Sequence, residues 1–171
     1  MGRVSVKKDK NAYQLAREKL GLTREKAGEL LDGMTAERIE KIESGKSLAH
    51  PDEVLIMSKG YKMPELCNYF CARECPIGEK YVPEIAPKSL SEIVLEMLAS
   101  LNTMQRSRER LIEITSDGKV SDDQVEDFVR IQQELERISV TVEALQLWAE
   151  QKVAAGEIDL AAYNAVKQKS A

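Results

Sequence analysis

The fold is decided by residues 15–46, which read LAREKLGLTREKAGELLDGMTAERIEKIESGK. Apolar residues recur there every three or four positions, which is the period of helices that bury one face. Threonine at a helix start accepts a hydrogen bond from the first turn, so Thr23 and Thr35 each predict the start of a helix. The stretch therefore predicts three short helices, with turns at Gly21, Gly33 and Gly45.

The helical pattern continues beyond this stretch and predicts an all-α chain. Pro51 suits the first turn of a fourth helix, and Pro64 begins a short fifth helix that reaches the cysteines. Residues 76–88 contain three prolines and no periodicity, which predicts a linker. We therefore expect a first domain over residues 1–75 and a second domain over residues 89–171.

The second domain reads as two long helices followed by a short one over 160–168. Ser89 starts the first, Asp117 and Gly118 form a turn, and Ser121 with Gln124 forms a capping box for the second. A turn this short predicts an antiparallel helical hairpin. Its apolar seam would consist of Leu90, Val94, Met97, Leu101, Met104 and Leu111 in the first helix and Phe128, Ile131, Leu135, Ile138, Val142, Leu145 and Ala149 in the second.

Two helices alone bury little apolar surface. We therefore expect the hairpin either to form a homodimer through residues 89–155 or to fold back on the first domain. Trp148, the only tryptophan, is expected to be a packing or interface anchor.

Composition and charge limit the kind of protein. The 171 residues are 43% apolar and carry a formal net charge of −4, yet residues 1–48 hold 11 Lys/Arg against 8 Asp/Glu. Residues 89–171 hold 9 Lys/Arg against 15 Asp/Glu, so a phosphate contact would belong to the basic N-terminal part. Neither a membrane span nor the apolar run of a secretory signal is visible, and we expect a cytoplasmic protein.

The decisive stretch resembles a known family. Residues 15–31 are similar to the first two helices of lambda-repressor-like domains of the XRE type. Residues 34–46, with their closing Ile-Glu-Ser-Gly, are similar to the recognition helix of that family. Covering roughly residues 10–66, the resemblance implies a five-helix helix-turn-helix domain. It also implies a sequence-specific transcriptional regulator that binds double-stranded DNA as a dimer.

A helix-turn-helix unit holds one helix across the major groove and inserts the next. Gly28 would allow the two helices to cross closely, and four apolar residues would lock them onto Leu15 and the fourth helix: Leu31, Met34, Ile39 and Ile42. The resemblance implies a bracing role for Glu43. The expected DNA-contacting residues are Arg24, Lys26, Thr35, Ala36, Glu37, Arg38, Lys41 and Lys46.

Two acidic residues on the same helix leave a second interpretation open. Glu37 and Glu40 would lie near phosphates, where a carboxylate costs binding energy. The chain could therefore be a protein-interaction adaptor on the same scaffold, of an anti-repressor or antitoxin-like kind. We expect no enzyme, because the chain has one histidine, no glycine-rich phosphate loop and no nucleophile motif.

The three cysteines allow a third interpretation. Cys67, Cys71 and Cys75 are spaced i, i+4 and i+8, so on a helix they share one face. They are either buried packing residues or ligands of a zinc ion or an iron–sulfur cluster, with His50 as a fourth ligand and Pro76 turning Cys75 back. In the latter case, or with reactive thiols, the chain would be a metal- or redox-responsive sensor. No other cofactor is expected.

Overall fold

The computed structural model describes residues 10–116 and 118–169, and these contain helices and turns but no strand, which confirms the predicted all-α class. No helix in these two ranges is both long and apolar enough to cross a membrane. A 3-10 turn, Asp122–Gln124, precedes the longest helix. The helices are α1 (Ala12–Lys19), α2 (Arg24–Leu30), α3 (Ala36–Glu43), α4 (Pro51–Tyr61), α5 (Glu65–Arg73), α6 (Gly78–Tyr81), α7 (Leu90–Thr115), α8 (Val125–Ala155) and α9 (Leu160–Lys169).

Local signals placed the helix starts correctly. The Thr23 hydroxyl accepts a hydrogen bond from the Lys26 N–H at 3.3 Å, and Thr35 accepts one from the Arg38 N–H at 3.1 Å. Ser89 caps α7 in the same way. Gly33 turns the chain between α2 and α3 with φ +82°, a value that side chains other than glycine rarely adopt. Asp117 of the predicted turn before α8 lies outside the described residues.

Helices α1 to α5 share one apolar core, and one predicted member of it is wrong. Leu31, Met34, Ile39 and Ile42 are buried, as expected, but Leu15 is 53% exposed. The buried face of α1 consists instead of Tyr13, Gln14, Ala16 and Arg17. Hydropathy did not reveal this face, because two of its members are polar. They are buried with partners: Gln14 donates to Glu18, and Arg17 donates to Glu43.

A short helix lies inside the stretch predicted as a linker. Helix α6 occupies four residues of 76–88, which is too short a span to show a period in the sequence. Gly78 makes it possible, because a Cβ atom at this position would lie 2.0 Å from the carbonyl oxygen of Cys71. The Asn68 side chain also donates to the Pro83 carbonyl at 3.0 Å, so part of this stretch is packed on α5.

The chain divides into two compact units by its internal contacts. Of the described residues, one unit comprises 10–84 together with 149–169, and the other comprises those of 85–148. The sequence grouped 149–171 with the second domain, whereas Gln151 donates a hydrogen bond to Glu65 of α5 at 3.1 Å.

Within residues 85–148, the buried line of each long helix differs from the predicted seam. Ile131 is buried as predicted, and Ile93 and Ile114 are buried although they were not assigned to the seam. Five predicted seam residues are exposed: Leu90, Val94, Leu101, Leu135 and Val142. The buried Ile93 precedes Val94, the half-buried Ser100 precedes Leu101, and the buried Glu134 and Thr141 precede Leu135 and Val142. The apolar residues cover an arc wider than one helix–helix contact, so hydropathy alone could not select the buried part.

Candidate nucleic-acid interface

Helices α2 and α3 approach each other closely at Gly28. A Cβ atom there would lie 3.2 Å from both the backbone nitrogen of Ala36 and the carbonyl oxygen of Met34. The neighbouring Ala27 is fully buried, so it is a second small residue at this crossing, and the sequence analysis did not single it out. Two successive small residues let α2 pack against the start of α3.

A buried carboxylate braces α3 against the two preceding helices. Glu43 accepts hydrogen bonds from Arg17 Nε at 2.5 Å and Nη2 at 2.9 Å, and from Arg24 Nε at 2.8 Å. Arg17 also donates to the Leu22 carbonyl between α1 and α2. Only the Arg24 end of this network is partly open to solvent, with 34% of its side chain exposed. Glu43 therefore connects α1, α2 and α3.

A second brace involves Arg38, which the sequence predicted to face DNA. Its Nε and Nη2 donate to the Glu53 carboxylate of α4 at 2.5 and 2.6 Å, Nη1 donates to Ser47 Oγ at 2.6 Å, and Nη2 also donates to the Leu48 carbonyl at 2.9 Å. Four of the five guanidinium hydrogens are thus used inside the fold. Sequence reasoning missed Glu53 because it lies 15 residues from Arg38 and no local spacing relates them.

Glu53 also orders the start of α4. It accepts a hydrogen bond from the His50 backbone N–H at 2.8 Å. The Arg38 guanidinium, and to a lesser extent this N–H, hold the pKa of Glu53 below its ordinary value. His50 is therefore the exposed N-cap residue of α4.

The remaining charges of α3 form exposed ion pairs. Lys41 pairs with Glu37 at 2.8 Å, and Lys46 pairs with Glu40 at 2.9 Å. Each lysine lowers the pKa of its glutamate. Ion pairs in water are weak, so a phosphate group can replace the carboxylate beside either lysine. Lys26, also exposed, has no ion pair within the described part of the chain.

The structure thus divides the predicted DNA-contacting residues into two groups. Arg24 and Arg38 belong to the two braces, and the Thr35 hydroxyl is used as the cap of α3 beside the half-buried Ala36. The exposed group consists of the charged residues that belong to neither brace: Lys26, Glu37, Lys41 and Lys46.

The three cysteines are free thiols and half-buried. Cys67 packs against the core, and Cys75 Sγ accepts the Gly78 N–H at 3.5 Å. Burial, and then the thiols of Cys75 and Cys67, raise the pKa of Cys71, which disfavours the reactive thiolate. In residues 10–116 and 118–169, no three His, Cys, Asp or Glu side chains are grouped so that they could hold a metal ion. Zinc or cluster binding stays a prediction.

Tyr61, beside the Glu43 brace, has a buried hydroxyl without a hydrogen-bond partner. Burial, followed by the Glu43 charge, raises the pKa of Tyr61 from 10.0 to about 12. We expect Tyr61→Phe to raise the free energy of unfolding by about 1 kcal/mol, because it removes an unsatisfied polar group. Because the folded state favours the neutral phenol, the free energy of unfolding keeps its full value below pH 10.0 and falls as pH rises to about 12. The variant should lose less stability over this interval.

Chemical denaturation at neutral and alkaline pH measures both effects. Tyr13→Phe is the matched control, because the Tyr13 hydroxyl donates to Glu74 at 2.8 Å and its removal should cost about 2 kcal/mol. A destabilised Tyr61→Phe variant would contradict the prediction.

Comparison with known proteins identifies no family for this chain. No protein-family model, curated protein or solved structure matches the chain.

Proposed function

We propose that this protein is a sequence-specific DNA-binding transcriptional regulator, in which α2 and α3 form a helix-turn-helix unit of the lambda-repressor-like type. The observation that carries the proposal is the double bracing of α3. Glu43 ties its end to Arg17 and Arg24, and Arg38 ties its start to Glu53. A short helix held from both sides with a polar outer face suits insertion into the major groove, which is about 12 Å wide.

The exposed group supplies the expected contacts. Lys26, Lys41 and Lys46 would bind phosphates, and Arg24 could exchange Glu43 for a phosphate at its open end. Glu37, on the first turn of α3, would accept a hydrogen bond from a cytosine amino group. Arg38 acts as a positioning residue, because its fork is already occupied by Glu53, Ser47 and Leu48.

We also propose that α7 and α8 form an antiparallel hairpin that pairs two copies. Ile93 near the start of α7 shares a buried cluster with Ala144 and Leu147 near the end of α8, and Arg110 pairs with Asp127 at 2.6 Å towards the other ends. These contacts support an antiparallel arrangement. A two-fold pair would present two α3 helices about 34 Å apart, one turn of DNA.

A second candidate function is a protein-interaction adaptor on the same scaffold. Its support is that Lys41 and Lys46 each already have a carboxylate partner, so the face of α3 is nearly neutral. Such a face would favour a mixed-charge protein surface over a polyanion.

Two variants distinguish DNA binding from the adaptor function: one removes negative charges of α3, and the other removes positive charges of α2 and α3. For a DNA-binding protein, we expect Glu37→Gln with Glu40→Gln to tighten binding to random duplex about tenfold, because two lysines are freed for phosphate. Lys26→Ala with Lys41→Ala should weaken binding at least tenfold and lower the slope of log K against log salt by about 2. Fluorescence anisotropy across a salt series measures both.

Lys59→Ala, which removes one exposed lysine of α4, is the control for the loss of a single surface charge and should change little. An unbiased selection of bound DNA with the unaltered protein completes the test. Enrichment of no sequence, together with no binding at about 50 mM salt, would reject DNA binding and leave the adaptor function.

A further inference from the structure

We infer that two copies of this chain associate face to face through one side of the α7–α8 layer. This apolar face consists of Leu90, Val94, Leu98, Leu101 and Ile112 of α7 with Leu135 and Val142 of α8. The inference rests on the pairing of copies in the proposed function, for which it names the surface, and it does not depend on DNA contact.

The seven residues of this face lie on one line along each helix. Their exposed fractions range from 39% to 57%. Each line directly follows the buried line in sequence: Val94 follows the buried Ile93, Leu135 follows Glu134, and Val142 follows Thr141. One residue is a rotation of about 100°, so each line lies about a quarter turn from the contact between α7 and α8.

Both lines come to the same side of the layer because the helices are antiparallel. On each helix, the exposed line lies one residue C-terminal to the buried line. Because the two helices run in opposite directions, this same rotation turns both exposed lines towards the same side of the layer. That side has seven partly exposed aliphatic side chains with no cover in residues 10–116 and 118–169.

The opposite side of the layer has a different character. It contains a groove of about 710 Å³ lined largely by polar residues, among them Lys88, Glu96, Gln133 and Arg137. None of the seven apolar-face residues lines this groove. The groove and the apolar face are therefore formed by different residues of the two helices.

The size of the apolar face suits a second copy. From Leu90 to Ile112 a helix extends about 33 Å, and two helices side by side are about 20 Å wide. This side of the two helices, with its polar positions included, thus offers on the order of 600 Å² per copy and about 1,300 Å² for a pair, which lies within the range of stable interfaces.

The charge of the face also suits a second copy. Along the line from Leu90 to Ile112, Arg108 is the only charged residue, and Leu135 and Val142 are separated by Ser139 on α8. The face therefore lacks the cluster of positive charges that a polyanion or a negatively charged membrane surface would bind. A second apolar face, with the same dimensions and the same low charge, matches it and completes a four-helix bundle.

Sedimentation equilibrium of the full chain and of matched aspartate variants tests the inference. Leu101→Asp should raise the dimer dissociation constant at least about 100-fold, because two symmetry-related charges would be buried against apolar surface. Leu95→Asp is the control: Leu95 is more exposed, at 68%, but lies about a third of a turn from Leu101 and off the face. It should change the constant less than about threefold.

A second pair on α8 repeats the test. Val142→Asp should weaken the dimer as Leu101→Asp does, whereas Val129→Asp, on the far side of α8, should not. All four side chains are exposed within one chain, so circular dichroism should show unchanged helix content.

A monomeric unaltered protein would overturn the inference, and so would equal losses in the face and control variants. Titration of the same proteins with duplex DNA separates this result from the proposed function. A monomer that binds DNA rejects only the dimer face, and a dimer that binds no DNA rejects only the regulator.

Discussion

Replacing Glu43 by alanine should lower the free energy of unfolding of the first unit by about 3–5 kcal/mol, the cost of breaking a buried ion pair on one side. The variant leaves the Arg17 guanidinium buried without its carboxylate, and Arg17 is only 7% exposed. Water cannot compensate the charge at that depth, and the Leu22 carbonyl satisfies only one of its hydrogens. Denaturant unfolding followed by circular dichroism measures the loss.

Two further variants identify the cause of that loss. Arg24→Ala removes the partly exposed partner of Glu43 and should cost no more than about 1 kcal/mol. The double variant Arg17→Met with Glu43→Leu replaces the pair by apolar side chains, and it should be clearly more stable than Glu43→Ala. If Glu43→Ala were no more costly than Arg24→Ala, the brace would not stabilise the position of α3.

Gly78→Ala is expected to have the second large effect. The added Cβ would lie 2.0 Å from the carbonyl oxygen and 2.7 Å from the carbonyl carbon of Cys71. These are backbone atoms of α5, so they cannot rotate away, and α6 would be displaced. We expect a loss of about 3 kcal/mol, at the upper end of overpacking costs, with faster labelling of the Cys71 thiol by alkylating reagents.

Two glycines provide controls of different kinds. At Gly60 the nearest atom to an added Cβ is Leu31 Cδ2, the end of a flexible side chain, so Gly60→Ala should cost less. At Gly45 nothing lies within 4 Å, but φ is +74°, so Gly45→Ala should cost about 1–2 kcal/mol from backbone strain alone. Equal losses for Gly78→Ala and Gly45→Ala would show that α6 is not packed closely on α5.

Much of the fold could be predicted because its signals are local. The caps at Thr23 and Thr35 each join residues three positions apart, so the local sequence contains both partners of the hydrogen bond. The same holds for the turns at glycine with positive φ. The all-α class follows from such signals together with the period of the apolar residues.

The errors arise where burial depends on a distant partner. Leu15 was expected inside because it is apolar, yet Arg17 occupies the buried face of α1, since Glu43 neutralises it there. On α8, Leu135 was likewise expected inside, whereas the neighbouring Glu134 is buried and paired with Arg137. Hydropathy ranks single residues and cannot register that a charge has a partner.

By itself, the sequence determined where α2, α3 and α4 begin, because each of these starts is set by a capping residue or a proline within a few positions. Only the tertiary structure decided what Arg38 and Glu43 do. Arg38 finds Glu53 15 residues away, and Glu43 finds Arg17 26 residues away. The energy of such pairs depends on distance in space and on burial, which no spacing along the chain encodes. For the same reason, only the tertiary structure shows which apolar residues of α7 and α8 are exposed.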